Sequence, residues 1–592
     1  MRSVFKPSLL AALCASTLLG CTTAPVDPVS QLNIQCQAPQ QPRQQLSGIT
    51  GLRLLGTSVA NSKFATSAAE IVSYDTCSDK LYVVNAQAKR VDVLNLDATG
   101  RPDKEGDIDL QSAARHSGTR IGAANSVATH HGLIAVAIEN GDKQANGIIA
   151  LYRSDDRSLI TTYPAGALPD MVAFSKDGRY IAAANEGEPN SDYTRDPEGS
   201  VTLIDLYDGP LDAKVTQIDF RDFNTGEQRA AELSDSVRIS APGASVAQDL
   251  EPEYLSFDQA GKLFVALQEN NAMAKIDVGS ARVDAIYGLG GKSWETATLD
   301  ASNKDKKTGN LHSYPQLVGL YMPDSIATYR VNGISYIVTA NEGDGREYGV
   351  NNTQQQCEAQ GFEWDGDDLT GTSAYRTEKD FCIAYSDEVR GKKLKVDDAH
   401  PLKAALQDNQ QLARLKVIKP ATQLGAEDVV QAFGARSFSI WREDGTRMFD
   451  SGDQFARIVL EQDRAHFNST NDNNISADDR SDDKGSEPEA IEVATIDSRH
   501  YAFIGLERQG GIMVYEITNP TRARFISYTN PRHFAEKVCM TVKDGDCADD
   551  IYNPAAGDLG PESIKHFVRH GLHFLAVGNE VSGTTSVYQI RF

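Results

Sequence analysis

Carboxylates recur at fixed places along this 592-residue chain, and oxygen donors gathered in such number point to hard-cation chemistry. In "GSEPEAIEVATIDSRHYAFIGLERQGGIMVYEI", residues 485–517, Glu489 opens a strand-like run, a turn follows, and a second run ends in Glu507. Six other hairpins repeat the pattern: Glu70 to Asn85, Asn125 to Glu139, Asp170 to Glu186, Glu253 to Glu269, Asp324 to Glu342 and Glu562 to Glu580. Brought together, such charges repel unless their pKa values rise, donors bond them, or a cation binds. Two readings follow. In one, each acid ties neighbouring units together by accepting backbone N–H bonds. In the other, Glu186, Glu188, Glu253, Glu342, Asp344 and Glu489 hold Ca²⁺, the cofactor that an all-oxygen donor set favours. Arg346, Arg436 and Arg508 could either neutralise a neighbouring marker or offer planar forks to phosphate oxygens. A Ca²⁺-bound water could then attack a phosphoester. No serine or cysteine nucleophile motif is visible, and the eleven histidines form no ligand-spaced cluster.

The elements that would position these acids are short β-strands. The turns inside the hairpins are tight, as in "SKDGR" and "DQAGK". A further β run follows each second marker, such as "RVDVLNL", "SVTLIDL" and "GIMVYEI". Repeats of about four short strands predict an all-β fold, a seven-bladed β-propeller over residues 49–592. "GLRLLGTSV", residues 51–59, is placed to supply the outer strand of the last blade. In an antiparallel blade the start of the first strand and the end of the second share one edge, so all markers fall on one face. The long connections, 221–250, 288–322, 454–486 and 532–560, emerge on that face, with an insertion over about 343–435 in the fifth blade. "HPLKAALQDNQQLARLKV" within the insertion predicts a helix. "NSTNDNNISADDRSDDKG" reads as a solvated loop or a weak Ca²⁺ loop.

Eighty-two acidic against 58 basic residues give a net charge of −24, which disfavours nucleic acid and anionic lipid as partners. Residues 1–20 read as a lipoprotein signal peptide: Arg2 and Lys6, a short apolar core, then Leu18-Leu19-Gly20-Cys21, which looks like a lipobox. Cleavage there would leave Cys21 for lipidation and residues 21–48 as a flexible tether. Thr22 resembles the sorting signal of outer-membrane lipoproteins, on the periplasmic or the cell-surface side. The N-terminal lipid would be the one membrane contact. Cys36, Cys77, Cys357, Cys382, Cys539 and Cys547 then remain, an even number suited to disulfides. Six cysteines allow fifteen pairings. Proximity favours Cys357–Cys382 and Cys539–Cys547, leaving Cys36–Cys77.

The words "AAEIVSYD", "NEGEPNSDY", "NEGDGREY", "ARSFSIW", "FDSGDQF", "RSDDKGSEPE" and "LERQGGIMVY" resemble those of the choice-of-anchor I family. The resemblance spans about residues 50–592 and implies a secreted or surface-attached, propeller-like protein, similar also to mesenchyme-type surface glycoproteins. Some relatives are named alkaline phosphatases, which implies a phosphoester substrate. Two functions therefore stand as expectations: a Ca²⁺-dependent phosphoesterase of alkaline-phosphatase-like type, and a non-catalytic surface propeller that binds a ligand or mediates adhesion.

Overall fold

The computed structural model describes residues 32–592 apart from 35, 37–41, 46, 61, 242, 366–380, 544 and 545. The signal peptide, Cys21 and most of the tether lie outside the described residues. Seven sheets are four-stranded and antiparallel. Their inner strands are Val72–Asp75, Ile121–His130, Pro169–Phe174, Leu255–Phe257, Ile326–Val331, Pro488–Ile496 and Pro561–Arg569. Each inner strand touches the next, and the seventh touches the first, so the sheets stand as blades around an axis. This is the all-β propeller architecture that the hairpin repeat predicts. Gly51–Val59 pairs antiparallel with Thr584–Arg591 as the outer strand of the seventh sheet. The first and last segments of the fold thus share one sheet, which closes the ring.

Second strands such as Lys80–Asn85, Leu133–Asn140 and Lys262–Leu267 are apolar almost without interruption. They are so because each sheet is covered on both faces by its neighbours. The core is divided accordingly. One cluster, with Tyr82, Val93, Val127 and Ile134, fills the gap between the first and second sheets. Others fill each gap in turn around to Phe567, Phe574, Leu81 and Val83 between the seventh and the first.

Near the axis the sheets are clipped by hydroxyls. Ser126 Oγ accepts from the Val172 N–H at 3.2 Å, and Ser325 Oγ donates to the Glu489 carbonyl. Ser563 Oγ donates to the Glu70 carbonyl at 2.6 Å and accepts from the Val72 N–H at 3.0 Å. Each of these serines directly follows a first marker. Farther along, Thr129 and Thr328 donate to the carbonyls of Tyr74 and Phe257 in the preceding sheet. Bonding between blades was an expectation for the acids, but near the axis it is these hydroxyls that supply it. A first-marker side chain makes such a bond at Asn125, which donates to the Pro169 carbonyl at 3.2 Å.

The long connections build a second layer. Gly291–Ser293, Leu317–Leu320, Val430–Ala432, Lys416–Ile418 and Glu388–Arg390 form a five-stranded sheet over a core of Trp294, Leu402, Leu406, Leu412 and Leu415. The helix expected over residues 400–417 is absent. A single 3-10 turn, Ala405–Gln407, is followed by tight turns in which Asp408 bonds the Gln410 N–H and the Gln411 amide. Those turns let four leucines reach one core from a segment too irregular to be helical. The pairs Cys36–Cys77, Cys357–Cys382 and Cys539–Cys547 are disulfide-bonded. Cys77 lies in the turn after the first inner strand, at the end of the ring away from the markers. Ile34 packs there against Leu133, and Arg153 donates to the Leu32 carbonyl at 2.7 Å. Leu32, Ile34 and Cys36 are thus pinned to the turn face.

Candidate cation site at the channel mouth

A cavity of about 310 Å³ opens at the marked end of the axis. All seven first markers line it: Glu70, Asn125, Asp170, Glu253, Asp324, Glu489 and Glu562. Glu186, Glu342, Glu507 and Glu580 add second markers from four sheets. The fourth sheet sends Gln268 instead of the expected Glu269.

The recurring Asn-Glu-Gly word has a local explanation. Asn341 donates to Ser437 Oγ and Ser439 Oγ of the adjacent strand, at 3.1 and 2.8 Å, and Asn185 does the same work with Ser200 and Thr202. The asparagine locks the strand end, and the glutamate after it reaches the mouth. Gly343 then turns the chain at φ +88, where an added Cβ would sit 2.1 Å from the Gly434 nitrogen. This turn leaves both Glu342 and Asp344 facing the Lys484 ammonium.

Among the described residues, no hydrogen bond or ion pair reaches the carboxylates of Glu70, Asp170, Glu186, Glu253 or Asp324. Glu70, Glu253 and Glu489 each carry a buried oxygen, Oε2, with no partner. Burial, then neighbouring acids, raise this ring. Burial followed by Asp170 and Glu580 holds Glu70 well above the carboxylate range, and burial followed by Asp324 does so for Glu253. Asp324, Glu489 and Glu562 behave alike. Asp170 and Glu580 rise to about 7 and Glu342 to about 8. Buried carboxylates without partners either keep their protons or take a cation.

Two carboxylate triangles, each with its oxygens within 4.8 Å of one another, divide the mouth. Glu342, Glu487 and Glu507 form the neutralised one. Lys484 Nζ contacts Glu342 and lies 3.4 Å from Glu487, Arg508 bridges Glu487 and Glu507 at 3.2 and 3.0 Å, and Arg480 pairs with Glu487. Burial works to raise Glu487, but Arg480, Lys484 and Arg508 outweigh it and hold the group down to about 2. The other triangle is Asp324, Glu342 and Glu489. Among the described residues, its contacts with basic and amide groups are those of Glu342, with Lys484 and with Gln268 Nε2 at 2.9 Å. Three converging carboxylates, one with an orphan buried oxygen, suit a hard divalent cation such as Ca²⁺.

Of the six acids expected to hold metal, Glu186, Glu253, Glu342, Asp344 and Glu489 line this cavity. Glu188 stands outside it and accepts from the Tyr348 hydroxyl at 3.3 Å. The three arginines part company. Arg346 is buried and fully engaged, by Asp249 at 3.0 Å, Glu251 at 2.9 Å, Ser240 Oγ and the Asp249 carbonyl. Arg436 donates to the carbonyls of Asp300, Ser481 and Asp483. Neither lines the mouth, because buried carboxylates and loop carbonyls from the long connections claim their donors. Arg508 does line it, already paired with two glutamates.

Sequence reasoning missed Lys484 and Glu487. Lys484 sits in the segment read as a solvated or Ca²⁺-binding loop and Glu487 just after it, yet Asn468, Asn471, Ser476, Asp482 and Glu487 are all buried. Asn471 donates to Glu507 at 2.6 Å, and Asn474 reaches the carbonyls of His533 and Glu536. One signal was present: "DDRSDDKGSEPE" sets a lysine and an arginine among acids directly before a marker.

Over 195 residues the chain is 32% identical to Gigasin-3a of Magallana gigas, covering 32% of this chain and 67% of that protein. It is 26% identical over 331 residues to the mesenchyme-specific cell surface glycoprotein of Strongylocentrotus purpuratus, covering 51% of this chain and 40% of that one. The chain therefore spans less than half the length of the second relative. Among solved structures it is similar to the Kuenenia stuttgartiensis hydrazine synthase, with TM-score 0.40, 9% identity, and coverage of 90% of this chain and 98% of the other. It is also similar to the β-propeller domain of Myceliophteria thermophila Cps50 (Swd1), with TM-score 0.39, 7% identity, and coverage of 90% and 99%. The model of the choice-of-anchor I domain matches residues 70–520, which hold the inner strands of six of the seven sheets, and the chain belongs to that family of surface or secreted proteins.

Proposed function

We propose that this protein is a surface-displayed propeller whose acid mouth holds Ca²⁺ and uses it to bind a ligand, without catalysis. The observation that carries the reading is the triangle of Asp324, Glu342 and Glu489 with its unpartnered buried Glu489 oxygen. A lipid on Cys21 would anchor the chain in the outer membrane. Because Leu32 and Cys36 join the turn face, the mouth would then open away from that membrane. No helix among the described residues is long and apolar enough to cross a membrane.

A metal-dependent phosphoesterase is the second reading. Lys484 and Arg508 favour it, since two cationic side chains share the cavity with the carboxylates. Their present ion pairs, and the commitment of Arg346 and Arg436 elsewhere, weigh against a phosphate clamp. Metal analysis of the purified protein, paired with an aryl-phosphate assay across pH 6–10 before and after chelation, separates the two. Bound Ca²⁺ without turnover is expected. Calcium-stimulated turnover abolished by Glu342→Gln or Glu489→Gln would establish the esterase instead.

A further inference from the structure

The axis carries a second chamber below the mouth. Its volume is about 270 Å³, and residues from all seven inner strands line it. Ile71, Met171 and Tyr254 border both chambers and form the partition between them. The character of the lining reverses across that partition. Above it stand the acids; below it stand Lys176, Lys565 and the hydroxyls of Ser73, Thr129, Ser256 and Thr328, with Glu492 as one carboxylate among them.

We propose that this lower chamber is a second binding site, for a small oxyanion or carboxylate, built on Lys176 and Lys565. Lys176 comes from the turn after the third inner strand, whereas Lys565 and Glu492 come from the seventh and sixth, across the ring. Among the described residues the Lys176 ammonium has no hydrogen bond and no ion pair. Lys565 Nζ lies 3.8 Å from Glu492, whose same oxygen already accepts from the His566 N–H at 3.1 Å. The chamber lining thus sets two ammonium groups against one carboxylate, and that carboxylate lies near Lys565 alone. Lys176 is exposed at the rim of the chamber, and its charge and that of Lys565 oppose one another, so an anion between them would relieve that repulsion. The hydroxyl pairs Ser73–Thr129, at 2.9 Å, and Ser256–Thr328, at 3.2 Å, fix the polar wall. A net charge of −24 does not produce this spot by chance of composition; it is local. The site stands independently of the cation at the mouth.

Calorimetric titration of metal-free protein with inorganic phosphate, and separately with succinate, tests the proposal. One equivalent should bind saturably to the wild type. Lys176→Met and Lys565→Met should each weaken binding about tenfold or more, the loss expected for a charge-assisted hydrogen bond. Glu492→Gln should tighten it by removing a repelling carboxylate, and Glu489→Gln, at the far end of the axis, should leave it unchanged. Unfolding midpoints close to that of the wild type would show that the variants are folded. The proposal is overturned by an absence of saturable binding to the wild type. Binding that survives the Lys176→Met/Lys565→Met double variant, or that responds to Glu489→Gln instead, also overturns it.

Discussion

At the scale of single residues, the mouth sets unpaired acids beside one buried lysine. Removing an acid from the open triangle should cost cation affinity while sparing the fold. Glu489→Gln and Asp324→Asn are each expected to weaken Ca²⁺ binding about tenfold or more in calorimetry. The metal-free unfolding midpoint should be unchanged or raised, because each variant removes a buried carboxylate that neighbouring acids repel. Lys484→Met should behave in the opposite way. Lys484 is the internal cation that Glu342 and Glu487 face, so its loss should destabilise metal-free protein by about 3–5 kcal/mol in denaturant unfolding. Saturating Ca²⁺ should recover part of that loss, since a competitor for Glu342 is gone. The acids were legible as a repeat at hairpin ends. Lys484 was signalled only by its place among acids just before a marker, and its partner Glu342 lies 142 residues away.

At the scale of elements, hydroxyls and one borrowed strand hold the ring. Ser126→Ala and Ser563→Ala should each cost about 0.5–1.5 kcal/mol in equilibrium unfolding, the net worth of a neutral hydrogen bond, with Ser563 the costlier because it makes two. Deleting residues 51–59 leaves Thr584–Arg591 as a bare edge strand, and soluble yield with monodispersity on size exclusion should fall sharply. Strand periodicity and marker spacing made the blades and this closing strand readable from the residues alone. The clips at Ser126, Ser325 and Ser563 were not readable, since their partners belong to the next sheet. Segment 400–417 misled because its leucines recur at helical intervals, while a core reached through turns requires no helix.

At the scale of the whole molecule, the axis is polarised from an acid mouth to a chamber bearing two lysines, in a chain of net charge −24. Asp170 and Glu580, raised to about 7, hold protons in the fold that the unfolded chain releases near pH 4. The stability tied to those protons is full below about pH 4 and is lost progressively as pH rises from about 4 to about 7, levelling off above that. The unfolding midpoint of chelated protein should therefore fall across that window, and Ca²⁺ should restore it, with an increment that grows with pH. The single-face placement of the acids followed from antiparallel geometry alone. Which of them a partner would neutralise did not, because Lys484, the partner of Glu342, lies 142 residues away from it. The most direct test of the cation site is an anomalous-scattering map of crystals grown with Ca²⁺. A peak is expected about 2.4 Å from oxygens of Asp324, Glu342 and Glu489. A map with Lys484 and these carboxylates in place and no peak among them would contradict the assignment.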